Sequence, residues 1–267
     1  MSRRVHIIAG MLLGLTLAVI GFEGPAQAAV DREKLLSDPG VYGTFAVFKV
    51  DEDWWKLDQA ARASAAAEAK AVFQKHGEHL TTDTYLLRGL TDRADFFIRV
   101  HSTELLHTQN FLVELMGTGL GKHLANTATF NGLTKKPNYV PGFSDELKTT
   151  LKTPPDPGPK PYVIVVPIRK DAAWWQTSQE ERSAMMKEHT EASLAYLNTV
   201  KRKLYHSTGL DDLDFITYFE TAKLDDFNNL IIALARVKEN RHNKQFGHPT
   251  LLGTIRPLDE ILDILSR

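Results

Sequence analysis

The 267-residue chain contains no cysteine. This rules out disulfides, thiolate metal ligands, iron–sulfur clusters, a Cys-x-x-Cys-His haem attachment and a cysteine nucleophile. Any metal must therefore be held by His, Asp or Glu, or arrive inside a non-covalent cofactor. None of the ten histidines falls in a zinc spacing such as His-Glu-x-x-His. An excess of one charge is also lacking. The 32 Lys and Arg are balanced by 33 Asp and Glu, so nothing in the balance favours nucleic acid or an acidic membrane as partner. No apolar run reaches the roughly 20 residues needed to span a bilayer. Proline is sparse except between Thr134 and Pro161, which holds seven of the twelve.

The N-terminus has the three parts of a secretory signal. Arg3 and Arg4 form a basic start, Ile7 to Ile20 an apolar core, and Ala26-Gln27-Ala28 a small-x-small cleavage site. Cleavage after Ala28 is expected to leave 239 residues in the periplasm with no membrane attachment. A chain of that length buries enough core to do without disulfides.

A repeat organises the mature chain. Trp54-Trp55 and Trp174-Trp175 lie 120 residues apart, as do Gly89-Leu90 and Gly209-Leu210, while Asp95-Phe96 and Asp214-Phe215 lie 119 apart. Each copy reads strand, helix, strand, strand, helix, strand, a ferredoxin-like α+β unit. The expected fold class is α+β, with two such repeats packed into a dimeric α+β barrel within one chain. The expected divisions are a signal over residues 1–28, an N-terminal half over 29–133, a Pro-rich connection over 134–161 and a C-terminal half over 162–267.

The copies differ where chemistry is concerned. A shift of 120 places His189 on Ala69 and Arg202 on Thr82, and Glu239 near Gly119. Structural needs are common to both copies, whereas a site has to exist only once, so the second half is expected to carry it. His189 shares a helix face with Met185, Ala192 and Tyr196. Taken alone it also reads as an ordinary core histidine, and His206 is a rival ligand. Arg202 shares a strand face with Leu204, and Thr217 and Phe219 share one on the next strand. In the run Lys201-Arg202-Lys203, Arg202 also reads as a solvated strand end; buried between those walls it would be an anion clamp. By position alone Glu239, at the end of a helix over 225–238, and Lys170, at a strand end, read as surface residues. Trp174 and Trp175 read as packing.

The segments KRKLYHSTGLDDLDFITYFET, HTEASLAYLNTVKRK, KDAAWW and GHPTLLG closely resemble the chlorite dismutase (chlorite O2-lyase) family in its longer, pentameric form. The resemblance spans the mature chain. It implies one non-covalent haem b (iron protoporphyrin IX) per subunit, held in the C-terminal half, a homopentamer and a role in chlorite detoxification. It also implies conversion of chlorite to chloride and O2, by oxygen transfer to ferric haem and O–O bond formation with a retained hypochlorite. His189 matches the iron ligand, Glu239 and Lys170 its supporting partners, and Arg202 the distal arginine. Leu204, Thr217 and Phe219 match the distal wall, Trp174 and Trp175 the haem edge, and Tyr139 and Val140 the propionate contacts. A haem peroxidase or a periplasmic haem-binding protein of the same superfamily is the alternative.

Overall fold

The computed structural model describes residues 30–136 and 140–267. The expected signal and Tyr139 lie outside the described residues. No helix among the described residues is long and apolar enough to cross a membrane.

A short arm, α1 (Arg32–Ser37), leads into the first half. That half consists of β1 (Tyr42–Val50), α2 (Gln59–His76), β2 (Leu80–Leu86), β3 (Phe96–Ser102), α3 (Leu105–Gly117) and β4 (Leu124–Leu133). The expected connection is not wholly irregular: α4 (Asp145–Leu151) forms in the proline-free stretch between Pro141 and Pro154, capped by Ser144. The second half holds β5 (Tyr162–Lys170), α5 (Ala172–Gln176), α6 (Gln179–Ser193), β6 (Val200–His206), β7 (Phe215–Thr221) and α7 (Leu224–Leu234). Its last strand is split into β8 (Asn243–Phe246) and β9 (Leu251–Ile255), and α8 (Leu258–Ser266) ends the chain. The split falls at Gly247 and His248, both with positive φ, where the ladder along β5 is interrupted.

The strands form one sheet in the order β7-β6-β4-β1-β3-β2-β9-β5-β8, and β7 also pairs with β5. The sheet therefore closes into a barrel, with β8 and β9 lying end to end along β5. Within each half the strand order is the same, and the halves meet at two seams. One seam pairs Tyr85 and Leu86 of β2 with Ile255 and Thr254 of β9. The other has a single paired position, Leu133 with His206. There the ring of Tyr205 lies against Gly43 of β1, where a Cβ would collide with it. A Cβ on Gly132 would come within 2.9 Å of the Tyr205 Cβ.

Alternation along the strands separates three cores. Phe45, Val47, Tyr85, Phe97, Val163, Val165, Tyr205 and Tyr218 fill the barrel. Arg99 lies buried among them, bonded to Asp83 at 2.8 Å and 3.9 Å from the Tyr218 ring centre. Outside the first half, α2, α3 and α8 cover Phe48, Phe96, Ile98 and Val100. The inward residues of α3 are Thr108, Phe111 and Leu115. Leu105, at the start of the helix, is exposed. Outside the second half, the buried set is small: Ile164, Val166, Ile168, Val200, Phe219 and Leu230.

Candidate active site

The copies preserve one structural unit around each first helix. Asp51 meets His123 at 3.0 Å, and Asp171 meets His242 at 3.1 Å. Each His ring lies beside a buried Trp, His123 beside Trp54 and His242 beside Trp174. Asp95 accepts from the Val50 amide and Asp214 from the Lys170 amide. These matches fix the superposition, and they place Glu239 opposite Leu120 rather than Gly119. His189, Glu239 and Lys170 thus replace Ala69, Leu120 and Val50, all three buried and apolar.

A capping box at Ser178 and Glu181 starts α6, with Glu180 and Glu181 in its first turn complementing the helix dipole. One face turns Met185 and His189 inward, one turn apart. Ala192 and Tyr196 are only half-buried, so the apolar face is narrower than its pattern suggests. Glu239 does not end a helix over 225–238. The extended Val237 stops the helical path after α7, and a 3₁₀ turn over Lys238–His242 carries Glu239 inward. Both Glu239 and Lys170 are buried, contrary to their surface reading.

Glu239 joins the other two groups. One carboxylate oxygen lies 3.2 Å from His189 Nδ1, and the other is paired with the Lys170 ammonium. Lys170 Nζ also donates to Asn243 Oδ1 at 2.6 Å and sits 4.6 Å from the Trp174 ring centre. Asn243 carried no signal in the sequence, because a lone Asn at a strand start is commonplace. A carboxylate only accepts, so His189 Nδ1 carries the proton and Nε2 keeps its lone pair for a ligand. Burial, reinforced by the Arg202 and Lys170 charges, pushes the His189 imidazole down to about 4. It is therefore neutral near pH 7, the form that binds metal. Burial pushes the Lys170 ammonium down to about 8.

Facing α6 across the layer, β6 and β7 present their outward residues. Arg202 is paired in register with Phe219, and Leu204 with Thr217. The Thr217 hydroxyl donates to the Val166 carbonyl at 2.9 Å, so it is committed to the sheet. Between the two sides is a cavity of about 940 Å³, lined by His189, Arg202, Leu204, Thr217, Phe219, Trp174, Trp175, Val140, Lys170 and Glu239. Of the expected site residues only Tyr139 is not placed, since it falls outside the described residues. Trp174 is buried, while Trp175 is 44% exposed and stacks on Phe215 at the rim. His206 also lines the cavity, with burial and then Lys135 lowering its pKa.

The volume lies at the upper end of the few-hundred to roughly 1,000 Å³ of small-molecule and cofactor sites. Among the described residues no three His, Asp or Glu side chains converge as a metal nest. A single histidine with a carboxylate behind it, opening on a wide and mostly apolar slot, suits a metal that brings its own equatorial ligands. These residues fit a haem.

The comparisons with known proteins agree. The family model for chlorite dismutase matches residues 62–256. The chain belongs to the chlorite dismutase family. Chlorite dismutase of Ideonella dechloratans is 40% identical over 279 residues, covering 99% of this chain and 98% of that protein. The structure of chlorite dismutase from Candidatus Nitrospira defluvii in complex with imidazole is 55% identical. It superposes with a TM-score of 0.87 over 89% of this chain and all of that one. A haem-binding protein from Thermus thermophilus is only 18% identical, with a TM-score of 0.70 over 86% of this chain and 96% of its own, and shares the fold. This family member is thus an enzyme with the α+β barrel of its relatives, and family membership supports chlorite as its substrate and haem as its cofactor.

Proposed function

We propose that the protein binds one haem b in the cavity of its second half and converts chlorite to chloride and O2 there. His189 Nε2 would hold the iron, Glu239 would fix the imidazole through Nδ1, and Lys170 would hold Glu239 in place. Trp174, Trp175 and Val140 line the same slot, and with Tyr139 they would flank the edge of the cofactor. Ferric haem, when bound, supplies an electrophilic metal that accepts an oxygen atom from chlorite and returns it to form O2.

The chain's own contribution lies on the Arg202 side. A guanidinium stays charged at any working pH and binds an oxyanion through two parallel N–H groups. In a poorly solvated pocket its charge is screened far less than in water. Arg202 would hold the hypochlorite-level fragment until the O–O bond forms. Leu204, Thr217 and Phe219 would exclude water and keep that fragment from escaping. The reaction needs no net proton, and the committed Thr217 hydroxyl is consistent with a wall that supplies none. The N-terminal pattern supports export and cleavage after Ala28, which would place detoxification in the periplasm, and the resemblance supports a homopentamer.

The single observation that carries this reading is the His189–Glu239–Lys170 chain facing Arg202 across one cavity, at positions that are Ala69, Leu120, Val50 and Thr82 in the other half. An oxygen electrode tests it. Haem-loaded protein should release O2 promptly when chlorite is added. Arg202→Ala should keep its haem but stop after far fewer turnovers, as released hypochlorite bleaches the cofactor. Absence of O2 with a normal haem spectrum would refute the assignment.

A further inference from the structure

The cavity is much more positive than the molecule around it. The full chain carries a formal charge of −1, yet Lys135, Lys136, Lys148, Lys152 and Arg182 line the cavity along with Lys170 and Arg202, against one carboxylate, Glu239. Lys203 also lines the cavity, and its ammonium donates to the Leu36 carbonyl, a neutral acceptor that leaves its charge in place. Of these eight cations, Glu239 offsets one, and the two carboxylates of a b-type haem would offset two more, so the balance stays positive. Lys135, Lys136 and Lys152 are exposed, and among the described residues none of them has a carboxylate within salt-bridge distance. Lys148 is partly engaged, 3.4 Å from the fully exposed Asp145. Two elements supply the group: the end of the β4 connection gives Lys135 and Lys136, and α4 with its C-cap gives Lys148 and Lys152.

We infer that these lysines form an anion-collecting mouth that raises the local concentration of small oxyanions before they reach Arg202. The inference rests on the proposed site and assigns residues that neither the repeat nor the resemblance singled out. A one-sign funnel with low-dielectric walls focuses its field inward and speeds capture of an opposite charge by roughly 10- to 1,000-fold in favourable cases. The effect reaches about 8–10 Å at ordinary ionic strength and fades as salt rises. It acts on the approach of an anion and leaves the chemical step untouched. It also makes no difference to a neutral ligand of similar size.

The test uses haem-loaded full-length protein and the variant Lys135→Glu/Lys136→Glu/Lys152→Glu, which alters only exposed side chains. Three quantities are followed from low to high ionic strength: kcat/KM for chlorite, and the association rates of azide and of imidazole, at mildly alkaline pH where imidazole is neutral. In the wild type, kcat/KM and azide capture should fall with salt while imidazole capture stays flat. The variant should lose about tenfold in kcat/KM and in azide capture at low salt, keep its kcat, and show little salt dependence. Unchanged kcat/KM with the wild-type salt slope would overturn the inference. An equal loss in imidazole capture would also overturn it, because the lysines would then shape the opening rather than charge it. Failure to release O2 from chlorite would instead count against the proposed reaction, and the azide and imidazole rates would still judge the mouth.

Discussion

Trp54 of the first half donates its indole N–H to the Leu265 carbonyl of α8 at 2.8 Å, and Arg62 of α2 reaches the Leu57, Ser266 and Arg267 carbonyls. Ile261, Leu262 and Leu265 then complete a buried cluster with Phe111, Leu115 and Ala69. The second half has the same strands, the same Asp–His–Trp unit and a helix, α4, at the matching point after β4. Yet there Trp174 faces an open cavity, and Leu151, Lys148 and Lys152 of the α4 region stand at its margin. The first copy is closed by α8, the helix that trails the second copy, while the second copy is held ajar. The contrast shows how a duplicated fold separates stability from chemistry. The filled layer supplies burial, at roughly 25 cal/mol per Å² of apolar surface, and the unfilled layer can afford polar groups whose burial only a ligand justifies.

That contrast can be broken most severely at His189. His189→Ala should weaken haem binding by more than about 100-fold, beyond the loss expected when only a supporting partner is removed. A Soret titration would measure it, and a haem-replete variant with an unaltered spectrum would remove His189 from the ligand position. The next effect belongs to the closed half. Leu265→Ala should cost about 2–5 kcal/mol of stability and leave haem affinity unchanged, as read by denaturant unfolding beside the same titration. A shift in haem affinity would mean that the two layers are not independent.

The smallest effect sharpens the comparison inside the barrel, which both halves share. His101 of β3 is fully buried and bonded to the Tyr205 hydroxyl of β6 at 2.7 Å. Burial holds its imidazole well below the usual histidine range, with Arg99, Lys203 and Arg32 adding repulsion. The unfolded chain takes up this proton near pH 6.5 while the folded chain resists it. Stability is therefore intact above that pH and declines as pH falls below it, by at most about 1.4 kcal/mol per pH unit for this group. His101→Gln should flatten the decline in melting temperature relative to wild type between pH 6.5 and 5. Parallel profiles would show that His101 is not its source.

Much of this architecture was legible in the sequence because its markers repeat: the paired tryptophans, the Gly-Leu turns and the Asp-Phe steps mark the same corners twice. The strand that each copy was expected to open on is present in both, as β1 and β5. The layer that distinguishes the halves was harder to read. α4 and α8 share no obvious pattern, and proline density hid the first of them. At the site, His189 and Arg202 stood out as ionisable residues on apolar faces. Glu239 and Lys170 did not, since each looks like a surface charge at the end of an element. Only the fold brings residues 170, 189 and 239 together, and for these the family resemblance supplied what local pattern could not.

The seam between β4 and β6, with its single ladder position, is bridged by the Tyr205 ring resting on Gly43. An aromatic plate contributed by one repeat and seated on a bare backbone of the other acts as a clasp rather than a stitch. A side chain on Gly43 would have to displace that plate, so the fit of one repeat against the other is set at a position that carries no chemistry of its own.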